Sequence, residues 1–362
     1  VWDIAGSGNI GEVGAGANPT FTNSATGTLL KSGGTTNSVS PTVDFSSAGT
    51  IDVDTGTLNI NNVVDLVGGA TTTLEVVSGA ELQLTGDTTA PAPISGTYAS
   101  LGTGTVTWRG SWATTGATTF DFGTGVASMG FDSGAAEGLV ATAAPFTNNG
   151  DLTWTFGRIT GGTITNNGTL NLGGSTKTLG GTVTNNGTVT QTSSISLSLD
   201  SDVATAVTNN VLWELAAGSD ISETGSGANP TFTNTTTGTL HKSTSTATSS
   251  IASTIDFSSA GLIDADEGTL DVNNVVSLTA LPAGDTFEIA TGAAVDLDGN
   301  TACPADLSGT FTSLGTGNVT FRGSWATTGA TTFNFGTGVA SMSIDSGAAE
   351  GLDATAAPFT ND

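Results

Sequence analysis

Phe146-Thr147-Asn148-Asn149-Gly150-Asp151-Leu152 returns as Ile164-Thr165-Asn166-Asn167-Gly168-Thr169-Leu170 and again as Val183-Thr184-Asn185-Asn186-Gly187-Thr188-Val189. The copies stand 164 − 146 = 18 and 183 − 164 = 19 residues apart. In each, an apolar residue precedes Thr-Asn-Asn-Gly and another follows the glycine by two. A fixed period of about 20 residues marks a solenoid, whose single coil is too small to bury its own apolar face. Asn tolerates a positive φ and Gly adopts one at no steric cost, so the chain is expected to turn a corner at each Asn-Asn-Gly. The flanking segments are short, alternating and rich in Val, Ile and Thr, which predicts strands rather than helix pairs. The fold class is therefore all-β, a parallel β-helix with coils of about 18–25 residues.

Composition agrees with a narrow, continuous core. The 362 residues include 52 Gly and are 36% hydrophobic and 10% charged, whereas an ordinary domain is about 25% charged. Low charge also argues against simple disorder. Apolar residues recur singly at alternate positions, so each strand offers one inward side chain at a time. Only Ser133-Gly134-Ala135-Ala136-Glu137-Gly138-Leu139 and its later copy have the composition of a helical turn.

Six Lys and Arg face 32 Asp and Glu, a formal net charge of −26. Such a surface repels nucleic-acid phosphates and anionic lipid, attracts cations, and suits an exported protein. The sequence contains no run of 18 apolar residues, so no membrane insertion is expected. The chain opens Val1-Trp2-Asp3 and closes Thr360-Asn361-Asp362, and is expected to be a mature product or a segment of something longer.

A longer repeat overlies the coils. Gly16-Ala17-Asn18-Pro19-Thr20-Phe21-Thr22-Asn23 returns at Gly227 (227 − 16 = 211), Asp44-Phe45-Ser46-Ser47 at Asp256 (256 − 44 = 212), and Arg109-Gly110-Ser111-Trp112 at Arg322 (322 − 109 = 213). The domains expected are a first unit at 1–210 and an incomplete second at 211–362, continuous with it. At about 20 residues per coil the chain would wind roughly 18 coils, a rod on the order of 85 Å long. Ala80 to Gly96, with Pro91 and Pro93, is expected to be an exposed loop or a distorted coil.

At Gly49-Thr50-Ile51-Asp52-Val53-Asp54-Thr55-Gly56-Thr57-Leu58-Asn59-Ile60 and at the Thr-Asn-Asn-Gly-Thr-Leu triplets, the chain resembles the repetitive passenger regions of bacterial surface adhesins, filamentous-haemagglutinin-like or autotransporter-like. The resemblance implies a right-handed parallel β-helix, export and display at the cell surface. It carries over no catalytic residue and no cofactor.

Candidate chemistry is sparse. Asp52 and Asp54 project from one strand face, as do Asp264 and Asp266, followed by Glu267. Such pairs, about 6–7 Å apart, suit a Ca²⁺ site or a glycosidase pair; the plainer reading is a solvated acidic face. His241 has Leu30 at its counterpart (241 − 211 = 30), which argues against a Ser/His/Asp triad or a His-ligated metal. Cys303 has Ala90 at its counterpart and reads as a small buried filler. Trp108-Arg109-Gly110-Ser111-Trp112 and Phe321-Arg322-Gly323-Ser324-Trp325 offer two readings. One is a glycan platform on Trp108, Arg109, Trp112, Arg322 and Trp325. The other is inward rings with each Arg paired to a neighbouring acid, since alternation puts Trp108 and Trp112 on one strand face. The Thr-x-Thr pairs at Thr163, Thr182, Thr105 and Thr188 are the pattern of an ice-binding ladder but are short, and read as outward β-branched residues.

These readings point to a non-enzymatic, extracellular fibre or adhesin stalk whose partners are copies of itself, end to end, and surface glycans. A tailspike-type polysaccharide lyase or glycosidase on the same scaffold, or a glycan-binding module, is the alternative. Few Lys, Arg and His remain to staff a lyase base.

Overall fold

The computed structural model describes residues 1–68, 72–87, 90–123, 127–130, 138–192, 194–281, 286–300, 302–335, 351–355 and 357–361. They form a parallel β-solenoid of about 13 turns. One 3₁₀ turn, Ser201–Val203, interrupts the strands, and there is no α-helix among the described residues. Two compact units, Val1–Gly181 and Thr182–Asp362, divide the chain. That division falls 210 − 181 = 29 residues before the boundary between the sequence copies. The two need not coincide, because a solenoid coil bonds to the next one whichever copy supplies it.

A regular coil takes three short strands. In the first unit Thr28–Lys31, Thr36–Val39 and Asp44–Ser47 make one coil, and Thr50–Val53 and Thr57–Val67 stack on it. Strand period two puts alternate residues inside: Leu29 lies over Ile51 and Ile51 over Leu74, all fully buried. In the second unit Trp213, Leu240, Ile263 and Phe287 stack in the same way. Each such residue contributes about 1.5–3 kcal/mol by leaving water. The coil count falls below the expected eighteen because most coils are long. Phe21 to Phe45 is 45 − 21 = 24 residues and Asn209 to Asn234 is 234 − 209 = 25, while Asn148 to Asn166 is 18.

The Asn-Asn-Gly corners form as expected, but for a different physical reason. Neither Gly150 nor Gly168 has a positive φ. Their need for glycine is contact: a Cβ would stand 2.1 Å from Phe122 O at Gly150 and 2.0 Å from Gly150 O at Gly168. The first Asn of each corner turns inward. Asn148 donates through Nδ2 to Asn166 Oδ1 at 2.8 Å and to Thr169 O at 3.1 Å. In the second unit Asn185 donates to Asn209 Oδ1 at 2.8 Å, Asn209 to Asn234 Oδ1 at 2.9 Å, and Asn234 to Ser259 Oγ at 3.2 Å. The second Asn forms an outer ladder of opposite polarity, with Asn167 donating back to Asn149 Oδ1 at 2.9 Å and Asn210 to Asn186 Oδ1 at 2.8 Å.

A different corner sits inside long strands. Thr57–Val67 bends at Asn61-Asn62, where the register shifts, and Thr269–Thr279 bends at Asn273-Asn274. Asn62 donates to Asp44 Oδ1 at 2.9 Å and Asn274 to Asp256 Oδ1 at 2.8 Å. Of the two expectations for Ala80 to Gly96, the structure shows the distorted coil, not the exposed loop. Glu81–Gly86 and Ala92–Ala99 are strands paired with their neighbours, with the register shifting before Gly86 and between Ile94 and Gly96, and with Ala92 and Ile94 buried. The prolines are accommodated because Pro91 precedes the strand and Pro93 is its second residue, while bonding to the coil below begins at Ile94. Of the helical turn expected at 133–139, residues 133–137 lie outside the described residues and Gly138–Val140 is a strand. In its copy, residues 346–350 lie outside them and Gly351–Asp353 is a strand.

Candidate functional site

All three lysines point inward, a placement that scarcity of positive charge gave no reason to expect. Lys31, Lys177 and Lys242 are at most 1% exposed. Each closes a corner beside its strand by donating Nζ to backbone carbonyls: after the strand, Lys31 to Gly33 O at 2.6 Å and Lys242 to Ser245 O at 3.0 Å and to Thr244 O; before it, Lys177 to Ser175 O at 2.6 Å and to Gly173 O. Burial holds all three below the ordinary lysine range, Lys177 at about 8, and the Glu267 carboxylate pulls Lys242 partly back up. The sequence signal was available: Lys31 and Lys242 are counterparts (242 − 31 = 211), each preceded by a strand and followed by Ser.

Parallel stacking also collects acids that lie far apart in sequence. On one outer face of the second unit Glu214 lies over His241, His241 over Asp264, and Asp264 over Glu288. Asp266, two residues on, reaches the same spot: His241 Nε2 is 3.1 Å from Asp266 Oδ2 and 3.5 Å from Asp264 Oδ2. Nε2 and a carboxylate oxygen from each Asp lie within 4.8 Å of one another. Asp264 is held up at about 6, chiefly by burial and further by Asp266 and Glu288, with His241 opposing. Its Oδ1 is enclosed and accepts no hydrogen bond. Thus two of the four expected acids, Asp264 and Asp266, come together around the histidine that the copy comparison argued against. The 241 − 214 = 27 and 264 − 241 = 23 residue separations become neighbours only once the coil register is known.

In the first unit the counterpart residues form the row Asp3, Leu30, Asp52 and Glu75. Asp52 is raised by burial, then by Asp54 and Glu75, and its Oδ1 also accepts no hydrogen bond. No histidine stands among them.

The aromatic-arginine stretches turn their rings inside. Trp108 and Trp112 are each 1% exposed and Trp325 2%, so none presents a face on which a sugar could stack. Trp108 and Trp112 meet edge to face at 5.1 Å, Phe321 and Trp325 likewise at 5.3 Å. Trp112 Nε1 donates to Arg109 O at 2.7 Å and Trp325 Nε1 to Arg322 O at 2.6 Å. Arg322 pairs with Asp296 at 3.1 Å, and the half-buried Arg109 lies in register with Thr85. Cys303 is exposed, as is Ala90. The filler reading is corrected: both sit in the short connections leading into the strands Ala92–Ala99 and Ala305–Gly315, where no core exists to fill.

Among the Thr-x-Thr pairs, Thr147 lies over Thr165, and Thr184 over Thr208, Thr208 over Thr233 and Thr233 over Ser258. The partner row runs Thr182, Ala206, Thr231, Asp256, so it is not a flat threonine surface. A recess lined by Pro41, Asn61, Asn62, Thr85, Gly86 and Asp87 holds about 180 Å³, below the roughly 300–1,000 Å³ of a typical ligand pocket. No helix among the described residues is long and apolar enough to cross a membrane. The chain matches no protein-family model, no characterised protein and no solved structure.

Proposed function

We propose that the chain is a structural segment of a secreted or surface-displayed fibre or adhesin stalk, with no catalytic role. The observation that carries this reading is the interior. Coil after coil, it spends its side chains on apolar columns and buried asparagine ladders that hold one coil to the next, and on lysines that close corners within a coil. Duplication of a unit of about 212 residues extends such an object without changing its design. The −26 charge keeps its sides apart in solution. An open coil edge, by contrast, carries unpaired N–H and C=O groups that accept an in-register strand, so association is expected along the axis. Its partners are then further copies of the same coil, with surface glycans the adhesive target to be sought. Negative-stain microscopy of concentrated protein is expected to show end-to-end filaments. Dispersed short particles at every concentration, or turnover of an acidic or neutral polysaccharide in an activity screen, would overturn the reading.

A further inference from the structure

We propose that His241, Asp264 and Asp266 form a binding site for a divalent transition metal, with zinc the best match. Three observations carry it, none of which depends on the fibre reading. First, the donor set is mixed: one imidazole nitrogen and two carboxylate oxygens, from two adjacent coils, converge within 4.8 Å. Calcium takes six to eight oxygens and no nitrogen, whereas zinc is satisfied by three protein ligands of N and O type plus water. Second, the spacing fits. Two ligand atoms each about 2.0–2.1 Å from a tetrahedral centre stand about 3.3–3.4 Å apart. His241 Nε2 is 3.5 Å from Asp264 Oδ2 and 3.1 Å from Asp266 Oδ2.

Third, the site is unbalanced as it stands. The side chains of His241 and Asp264 are 19% and 16% exposed, and Asp264 Oδ1 is enclosed with no donor. Glu214 and Glu288 flank the pair in register, so negative charge crowds a partly buried face. A cation at this point offsets the repulsion that a single imidazole does not. Glu214 is already engaged by Thr190 Oγ1 at 3.0 Å, which leaves His241, Asp264 and Asp266 as the ligands. Asp266, the most open of the three at 59% exposed, faces solvent and leaves the remaining coordination position to water.

The test titrates the purified chain with zinc sulfate and, separately, calcium chloride, by calorimetry and by equilibrium dialysis with metal analysis. One zinc per chain is expected, not displaced by a large excess of calcium. His241→Leu installs the residue the first copy carries, and is expected to weaken zinc binding by more than about 100-fold, beyond the loss typical of a supporting group alone. Asp266→Asn, at an exposed position, is expected to weaken it at least about tenfold. Both variants should keep the parent's circular-dichroism spectrum, which separates a lost ligand from lost structure. Absence of saturable zinc binding, equal zinc affinity in His241→Leu, or ready displacement by calcium would each overturn the proposal.

Discussion

The two sequence copies keep the character of their inward positions, even where one apolar residue replaces another, and change character on one outer face. Phe45 and Phe257, Trp112 and Trp325, Lys31 and Lys242, and Asn23 and Asn234 are counterparts that do the same work at the same depth. On the outer acidic face the copies part: Leu30 stands where the second has His241, and Thr55 where it has Glu267. An inward position is fixed by the neighbours above and below it, since interiors are close-packed and buried polar groups need partners. An outward position answers only to solvent and cross-strand neighbours, so a new chemistry can appear there at little structural cost.

The largest effect should come from the shared interior. Asn234→Leu removes three bonds, the one accepted from Asn209 Nδ2 and those donated to Ser259 Oγ and Leu262 O, at about 0.5–1.5 kcal/mol each, or about 1.5–4.5 kcal/mol in all. Asn23→Leu removes only the bonds to Ser47 Oγ and Thr50 O and should cost about 1–3 kcal/mol. Denaturant unfolding of both variants checks the order; equal or negligible losses would mean the ladder is not what joins the coils.

The outer difference can be erased in the other direction. Leu30→His places an imidazole beside Asp52 and Asp54 in the same register that His241 has with Asp264 and Asp266. A second zinc per chain is expected, and at a hundredfold excess over its Kd a stabilisation of about 2.7 kcal/mol.

A smaller effect follows from the lysines. Their folded pKa values lie below the unfolded value of about 10.4, so between the two the unfolded chain holds more protons and stability rises with pH. For Lys177 the window opens near 8. Glu267→Thr gives the second copy the residue of the first; by removing the pull on Lys242 it should extend that copy's window to lower pH. Thermal midpoints measured from neutral to alkaline pH check the sign. The smallest effect is Trp108→Phe. Trp108 Nε1 is buried without a partner, and Phe321 already fills the counterpart position, so the change is expected within about 1 kcal/mol of neutral.

The coil and its corners were legible because alternation and the Thr-Asn-Asn-Gly spacing are local, and the strand boundaries follow them closely. The glycines' true role was not legible, since a Cβ clash at Gly168 depends on the coil beneath it. The same holds for the site. Asp264 and Asp266 could be named from an i, i+2 pattern, but their meeting with His241 depends on a register set by the length of an intervening coil. Comparison of the copies points away from His241, because the first copy carries Leu30 there. The buried lysines were hidden by composition: in so acidic a chain a lysine is expected at the surface, yet here Nζ finds backbone carbonyls at the corners, at 2.6 Å for Lys177 and 3.0 Å for Lys242.

The central claim is that successive windings lie in parallel register, and a cross-link across one coil tests it most directly. Asn149 and Asn167 are exposed, one winding apart, and bonded side chain to side chain at 2.9 Å. Adjacent strands place their Cα atoms about 4.8 Å apart, inside the range a disulfide spans. With Cys303 replaced by Ser, the Asn149→Cys, Asn167→Cys double variant is predicted to form an intramolecular disulfide in high yield under mild oxidation, without loss of fold. If the two thiols stay free in folded protein, the windings do not lie in register.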